Sequence, residues 1–242
     1  MLKWQIGDVK ITQLVELTTA SLGPYLLPQA TPNELKKIDW MSPFVDSDHR
    51  LVLSMHMLVL EINGQTILVD TCIGNDKERT YPKWNMMQTD FLSRFEAAGF
   101  SRDTVDTVLC THMHVDHVGW NTLRVEENWE PTFSNADYLY SRREWEHWST
   151  QPQEYGPVFE DSVQPIFDSG LAQPCACASK LVLVTACRPA RRPSGQTSGG
   201  RAPPGPCRRR SGVPRAARFT AGRVRPRAHG GRWRNEHRRV CP

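Results

Sequence analysis

The sequence has no apolar run approaching the ~18 residues that a membrane-spanning helix needs, and its first residues contain no apolar core of a secretory signal. It also lacks a regular cysteine framework. The seven cysteines are odd in number and irregularly spaced, which argues against a disulfide scaffold. These absences predict a cytoplasmic protein with reduced thiols and no membrane association.

Lysine and acidic residues are almost absent from the last part of the chain. Residues 188–242 contain 16 Arg, no Lys and one acid, Glu236, so they carry +15, while the whole chain carries +4. Residues 1–187 therefore carry −11, which excludes one uniformly basic domain. The basic segment has few large apolar residues and cannot bury enough surface to fold. We therefore expect a disordered tail over residues 188–242, preceded by an uncertain transition over residues 173–187.

Residues 1–172 have the pattern of an α/β domain, because predicted strands alternate with helices. Two strands are joined by Asn63-Gly64, a pair that tolerates the positive φ values of a tight hairpin. Phe91 and Phe95 share one helical face, and Gly99 follows as a stop signal. A loop over residues 21–50 is long enough to serve as a lid. The predicted strands cover residues 9–15, 55–62, 65–70, 105–110 and 136–141, and the helices cover residues 91–98, 159–167 and a segment beginning with a Ser141–Glu144 capping box.

Four metal-binding side chains follow the predicted strand at residues 105–110: His112, His114, Asp116 and His117. Neutral imidazole and carboxylate groups are good zinc ligands. On an extended backbone His112 and His114 point to the same side, whereas the adjacent Asp116 and His117 should diverge. This pattern favours two metal ions, with one pair of ligands on each.

The segment from Thr111 to His117 resembles the HxHxDH signature of the metallo-β-lactamase fold hydrolases. The strand ending at Asp70 resembles the strand that ends in an aspartate beside that family's metal site. Further residues around 118–121 and 131–136 resemble the branch of N-acyl-homoserine lactonases and methyl-parathion-hydrolase-like enzymes. The resemblance covers roughly residues 5–172. It implies an αββα sandwich with a two-zinc site, in which Asp70 orients the ligands from outside the metal shell.

The resemblance also implies an activity, which is hydrolysis of a lactone or other ester by metal-bound hydroxide, with a phosphotriester as the alternative substrate. The family takes further ligands from its second half, including a GHxxGH stretch and a bridging aspartate. After His117 this chain has only His147, His229 and His237. His147 is predicted on a helix surface, and the other two lack the expected motif. We therefore expect the chain to be inactive or weakly active as written.

Three explanations of the basic segment remain open. The abundance of Arg, Pro, Gly and Ala, all with GC-rich codons, leads us to hypothesise that translation leaves its proper frame near residues 171–174. A natural linker and a nucleic-acid-binding tail are the alternatives for this segment. The alternative function of the chain is a non-catalytic remnant or a basic-tailed nucleic-acid-binding protein. A GHxxGH stretch in another reading frame of the gene would confirm the first explanation.

Other conspicuous side chains are assigned structural roles. His49 and His56 are expected to be structural or solvated. The remaining residues are expected to pack in the core: Trp120, Trp145, Trp148, Cys72 and Cys110.

Overall fold

A computed structural model describes residues 1–151 and 155–175. The strands are β1 (Lys3–Ile6), β2 (Val9–Thr19), β3 (Leu53–Ile62), β4 (Gln65–Val69), β5 (Thr107–Leu109), β6 (Thr122–Val125), β7 (Asn128–Pro131), β8 (Asp137–Ser141) and β9 (Ala172–Cys175). The helices are α1 (Gly23–Leu26), α2 (Pro32–Leu35), α3 (Phe91–Ala97), α4 (Arg142–Trp148), α5 (Val158–Ser162) and α6 (Gln164–Asp168).

Seven of the strands form one mixed sheet in the order β1-β2-β3-β4-β5-β8-β9. The first four strands pair antiparallel, and β4, β5, β8 and β9 pair parallel. Strands β6 and β7 form a separate two-stranded hairpin. The α/β class predicted from the sequence is confirmed. No helix in the described ranges is both long and apolar enough to cross a bilayer.

The local sequence signals act as expected in several elements. Asn63 and Gly64 both have positive φ values, 51° and 74°, and connect β3 to β4 as the hairpin prediction requires. Gly99, with φ 95°, follows the end of α3. Pro165 lies in the first turn of α6, so the helix predicted over residues 159–167 is instead two short helices, because proline cannot continue an α-helical hydrogen-bond ladder.

The two faces of the sheet bury different sets of side chains. One face forms the main core with α3, in which Met57, Leu68 and Phe95 are fully buried. On the opposite face, Ile67 and Leu139 are also buried but lie outside that core cluster. Successive strand residues alternate between faces, so β4 is apolar on both sides. This agrees with its continuous apolar sequence.

Some elements differ from the sequence prediction. The strand predicted at residues 105–110 is only three residues long: it begins at Thr107, soon after a 3-10 helix over Arg102–Thr104, and the chain bends after Leu109. The loop at residues 21–50 contains α1 and α2. Strands β1, β6, β7 and β9 were not predicted. The predictions for residues 176–187 and for the tail at residues 188–242 lie outside the described residues.

Candidate metal centre

The candidate metal-binding side chains lie at one edge of the sheet because β4 and β5 run parallel. Asp70 follows the carboxyl end of β4, and the segment 111–117 follows the carboxyl end of β5. The backbone N–H of Asp70 donates to the carbonyl of Leu109 at 2.9 Å, which keeps the two strand ends side by side. Neighbouring parallel strands therefore bring residues about forty positions apart into one cluster.

His112 and His114 lie together, although the backbone between them is bent and not extended as predicted. The Nε2 atom of His112 lies 3.1 Å from Nδ1 of His114, and their rings meet edge to face with centroids 4.5 Å apart. The ring of His117 lies against His112, with a centroid distance of 3.9 Å. The three imidazoles therefore form one group.

The predicted divergence of Asp116 and His117 is wrong. Their Oδ1 and Nε2 atoms lie 3.5 Å apart. The reason is that the chain bends at residue 112 and forms a turn over residues 114–117, closed by a hydrogen bond from the His117 N–H to the carbonyl of His114 at 3.0 Å. A turn can bring adjacent side chains together that an extended strand would separate.

Asp70 contacts this turn through both carboxylate oxygens. Its Oδ1 accepts hydrogen bonds from the backbone N–H and the hydroxyl of Thr111, at 2.7 and 3.0 Å. Its Oδ2 lies 2.8 Å from Nδ1 of His117. With the proton of His117 on Nδ1, directed at the carboxylate, Nε2 is left as a free acceptor beside Asp116.

The protonation equilibria follow from these contacts. Burial alone would raise the pKa of Asp70, but the bonds from His117 and Thr111 outweigh it and hold that pKa below its usual value. Burial, together with the neighbouring His117 and His114, lowers the pKa of His112. Burial opposes the charge on His117, yet the bond to Asp70 and the charge of Asp116 raise its pKa. In the absence of a bound cation, the cluster therefore favours an ionised Asp70 and a neutral His112.

The spacing of the two donor pairs fits zinc in part. Two ligands of one tetrahedral zinc ion, each about 2.0–2.1 Å from it, stand about 3.3–3.4 Å apart. The 3.1 Å between His112 and His114 and the 3.5 Å between Asp116 and His117 both lie near that value. Within residues 1–151 and 155–175, however, no group of three or more His, Cys, Asp or Glu side chains is arranged to hold one ion. The described residues thus provide two ligand pairs and no complete set.

The loop after β4 and the segment after the turn are held together closely. Thr71 donates its N–H to the carbonyl of His117 at 2.8 Å, and Gly119 donates to the carbonyl of Cys72 at 2.7 Å. A Cβ on Gly119 would stand 1.8 Å from the carbonyl oxygen of Ile73. Glycine is therefore required there by the close approach of two backbones.

A buried carboxylate fixes the same two segments from the core side. A bulge in β2 leaves Glu16 without a partner on β3. Glu16 is 6% exposed and accepts hydrogen bonds from the N–H groups of Ile73 and Gly74 and from the indole of Trp120. Burial nevertheless raises its pKa. Alternation along β2 places Glu16 on the same buried face as Thr12 and Leu14, but the sequence alone does not show which N–H groups it meets there.

Helix α4 supplies two further contacts that the sequence analysis missed. Ser141 makes no side-chain cap, so the predicted capping box is wrong. The carboxylate of Glu144 instead accepts the N–H of Met113 at 3.1 Å and the indole N–H of Trp148 at 3.0 Å. The Trp148 ring also meets His114 edge to face, with centroids 5.4 Å apart. The available signal was topological: α4 follows β8, the neighbour of β5, so it begins at the same edge as the turn.

The other singled-out side chains have structural surroundings. Trp120 is buried and stacks with Phe91, and Trp145 stacks with Phe167, so packing roles are confirmed for both. Cys72 and Cys110 are buried. His147 is exposed on α4. His56 contacts Ser54, and His49 is half-buried in a loop.

Comparison with known proteins identifies the same kind of fold. A family model described as "Metallo-beta-lactamase superfamily" matches residues 53–192, more than half of the chain. A hydrolase of the beta-lactamase superfamily, AbOPH, is 23% identical, with a TM-score of 0.52 over 72% of this chain and 60% of that one. AidC, a dizinc quorum-quenching lactonase solved with the product N-hexanoyl-L-homoserine, is 19% identical, with a TM-score of 0.52 over 73% of this chain and 61% of that one.

The matches cover a larger share of this chain than of the two solved structures. The chain spans about three fifths of the length of AbOPH and of AidC. Among curated proteins none matches this chain.

Proposed function

Because this chain belongs to the metallo-β-lactamase superfamily, we propose that it is a metal-dependent hydrolase of lactones or related esters. The observation that carries the proposal is the meeting of two ligand pairs at one sheet edge, next to a carboxylate that orients one of the imidazoles. The similarity of the fold to AidC, a dizinc lactonase, supports a lactone as the first substrate to test. A phosphotriester is the alternative within the same chemistry.

Each residue of the cluster has a distinct role in this proposal. His112 and His114 hold the first metal ion, and Asp116 and His117 hold the second. Asp70 keeps the Nδ1 proton of His117 in place, so that Nε2 remains a ligand. When bound, zinc lowers the pKa of water and polarises a carbonyl oxygen, which is the chemistry that ester and lactone hydrolysis requires.

The proposal includes a weak activity for this chain. Catalytic zinc ions usually have three protein ligands, and each pair in the described residues provides two. A metal ion held by two protein ligands dissociates readily, so we expect slow turnover that depends on added metal.

Metal titration of the full chain tests the site. We expect Zn²⁺ binding by the wild-type chain, its loss in a His112→Ala/His114→Ala double variant, and its retention in Glu146→Ala, an exposed control on α4. Hydrolysis of N-hexanoyl-homoserine lactone and of a nitrophenyl ester should follow the bound metal. Equal zinc binding by the wild type and the double variant would refute the assignment. Turnover at ordinary hydrolase rates, about 1–10³ s⁻¹, would refute the weak activity.

Nucleic-acid binding through residues 188–242 is a second candidate function. It rests on the +15 charge of that segment. Binding of this kind should weaken steeply as salt is added, because it releases counterions from phosphates. A chain that takes up little zinc but binds RNA in a salt-sensitive manner would favour this second function.

A further inference from the structure

Glu144 joins helix α4 to the turn that carries the histidines. Both of its hydrogen bonds end on the same oxygen, Oε2, which accepts the N–H of Met113 and the indole N–H of Trp148. Glu144 and Trp148 are four residues apart on α4, so their side chains lie on one face of the helix. The helix thus presents an acceptor and an aromatic ring to the same turn.

The bonded N–H is the one between the two histidines of the first ligand pair. Met113 is 1% exposed, so its side chain is anchored in the core while its N–H is held by Glu144. The peptide planes on both sides of Met113 carry His112 and His114. Fixing them limits the positions of both imidazoles, and the ring of Trp148 further restricts His114.

We propose that Glu144 is a positioning residue, which sets the spacing of His112 and His114 before a metal ion arrives, with Trp148 as its partner. The proposal rests on the proposed function, because it assigns the histidine pair to a metal ion. Among the described residues, the Glu144 carboxylate is hydrogen-bonded to Met113 and Trp148 and not to either histidine ring. It acts through the backbone of Met113 and through the indole of Trp148.

Two substitutions of Glu144 distinguish the position of its acceptor oxygen from the negative charge of its carboxylate. A glutamine side-chain oxygen has two lone pairs, so Glu144→Gln can accept both N–H groups but has no charge. An aspartate keeps the charge but is one methylene shorter, so Glu144→Asp cannot reach both donors from the same backbone position. If Glu144 acts by positioning, the glutamine variant should behave like the wild type and the aspartate variant should not.

The first measurement is the affinity of the full chain for Co²⁺, which is determined from the visible absorption of the bound ion. We expect Glu144→Asp and Glu144→Ala to bind Co²⁺ at least about tenfold more weakly, in the range found when a partner outside the ligand shell is removed. We expect Glu144→Gln to stay within about threefold of the wild type. Glu146→Ala, an exposed glutamate on the same helix, is the matched control and should not change the affinity.

The second measurement needs no metal. In the metal-free chain, hydrogen exchange of the Met113 amide, followed by NMR, should be faster in Glu144→Asp and Glu144→Ala and unchanged in Glu144→Gln and Glu146→Ala. If neither the wild type nor any variant binds Co²⁺, the metal site is refuted. Faster exchange of the Met113 amide in Glu144→Asp and Glu144→Ala would then still support the hydrogen bond from Met113 to Glu144. Unchanged exchange, or a glutamine variant that binds Co²⁺ as poorly as the aspartate variant, would overturn the positioning role.

Discussion

Asp70 shows how one carboxylate can determine which nitrogen of a histidine is free. Its Oδ1 is bonded to Thr111 and its Oδ2 faces Nδ1 of His117. In Asp70→Asn, the amide oxygen can still serve Thr111, but the amide N–H₂ would then face Nδ1 of His117. The imidazole proton would move to Nε2 to relieve the conflict between two donors, and Nε2 could no longer bind a metal ion.

We therefore expect Asp70→Asn to weaken zinc binding about 10–100-fold, with a smaller change in the free energy of unfolding. Isothermal titration with Zn²⁺ measures the first quantity, and urea unfolding the second. Asp103→Asn, at an exposed aspartate outside the site, is the control. Equal zinc affinities of the Asp70 and Asp103 variants would contradict the orienting role.

Lys77 is a second residue whose charge depends on its surroundings. Lys77 and Arg79 are both buried beside a single carboxylate, that of Asp161, and the ammonium also contacts Thr122 and the ring of Trp129. Burial lowers the pKa of Lys77 from 10.5 to about 7, although the attraction of Asp161 opposes this shift. One carboxylate therefore does not compensate fully for two buried cations.

This depressed pKa predicts a pH dependence of stability. Between pH 7 and 10.5 the unfolded chain retains the Lys77 proton that the folded chain has lost. The contribution to the free energy of unfolding therefore rises with pH across this window, by at most about 1.4 kcal/mol per pH unit, and is lost as the pH falls towards 7. Urea unfolding of the wild type and of Lys77→Met at several pH values should show this slope in the wild type only. Parallel curves would exclude the predicted shift.

At the scale of elements, the backbone of the loop after β4 packs directly against the backbone of the segment that follows the turn carrying the histidines. A Cβ at position 119 would collide with the Ile73 carbonyl. Moving the two backbones apart would break the hydrogen bonds that the N–H groups of Gly119 and Trp120 donate to the carbonyls of Cys72 and Thr71. Gly119→Ala should lower the free energy of unfolding by about 3 kcal/mol or more, at the upper end of overpacking effects.

Gly99→Ala is the comparison variant, because it separates the effect of a steric clash on stability from the effect of a positive φ. Gly99 has a positive φ, but nothing lies within 4 Å of the added Cβ. Its substitution should lower the free energy of unfolding by about 1–2 kcal/mol, because alanine is strained in the left-handed conformation. Thermal or urea unfolding of both variants checks the order, and a milder effect at position 119 than at position 99 would contradict the close approach.

The elements that the sequence predicted well are those specified by local signals. Asn63-Gly64, the apolar face of α3 and Gly99 each act within a few residues, and each has the predicted conformation. The identity of the cluster at residues 112–117 could also be predicted, because its ligand types are adjacent in the chain. Its conformation could not, since the turn after Leu109 depends on Asp70 and Thr71 from another strand.

The contacts that surround the cluster were not predictable for the same reason. The partners of Glu16 lie on distant segments, at Ile73 and Trp120, and Glu144 reaches Met113 because β8 pairs with β5. Strand β1 alternates polar and apolar residues, but over only four positions, which is the shortest run that can indicate a strand. Its place in the sheet comes from pairing with β2.

At the scale of the whole molecule, the sheet has an exposed apolar edge among the described residues. Strand β1 pairs on one side only, and Trp4 and Ile6 are 45% and 66% exposed. An unprotected edge strand with apolar side chains is a template for pairing with another chain. The molecule should therefore self-associate as its concentration rises.

Charged residues at this edge should oppose the association. We expect Trp4→Lys/Ile6→Lys to shift the chain toward monomer in sedimentation velocity experiments. Val125→Lys, at an exposed position of the separate hairpin, should leave the distribution unchanged. A wild-type chain that sediments as a single monomeric species at all concentrations would contradict this prediction.

Glu16 has a consequence for how fast the structure is lost. Its bonds to Ile73 and Trp120 join residues 57 and 104 positions apart, so they can form only after β2, the loop after β4 and the segment after the histidine turn have come together. Contacts of such long range require the entropy of closing the intervening loops to be lost first, and we expect those of Glu16 to form after the rate-limiting step. Interactions that form after the rate-limiting step slow unfolding and leave the rate of folding nearly unchanged. We therefore expect Glu16→Ala to unfold faster than the wild type while refolding at nearly the same rate in stopped-flow urea experiments, and an equal change in both rates would contradict this prediction.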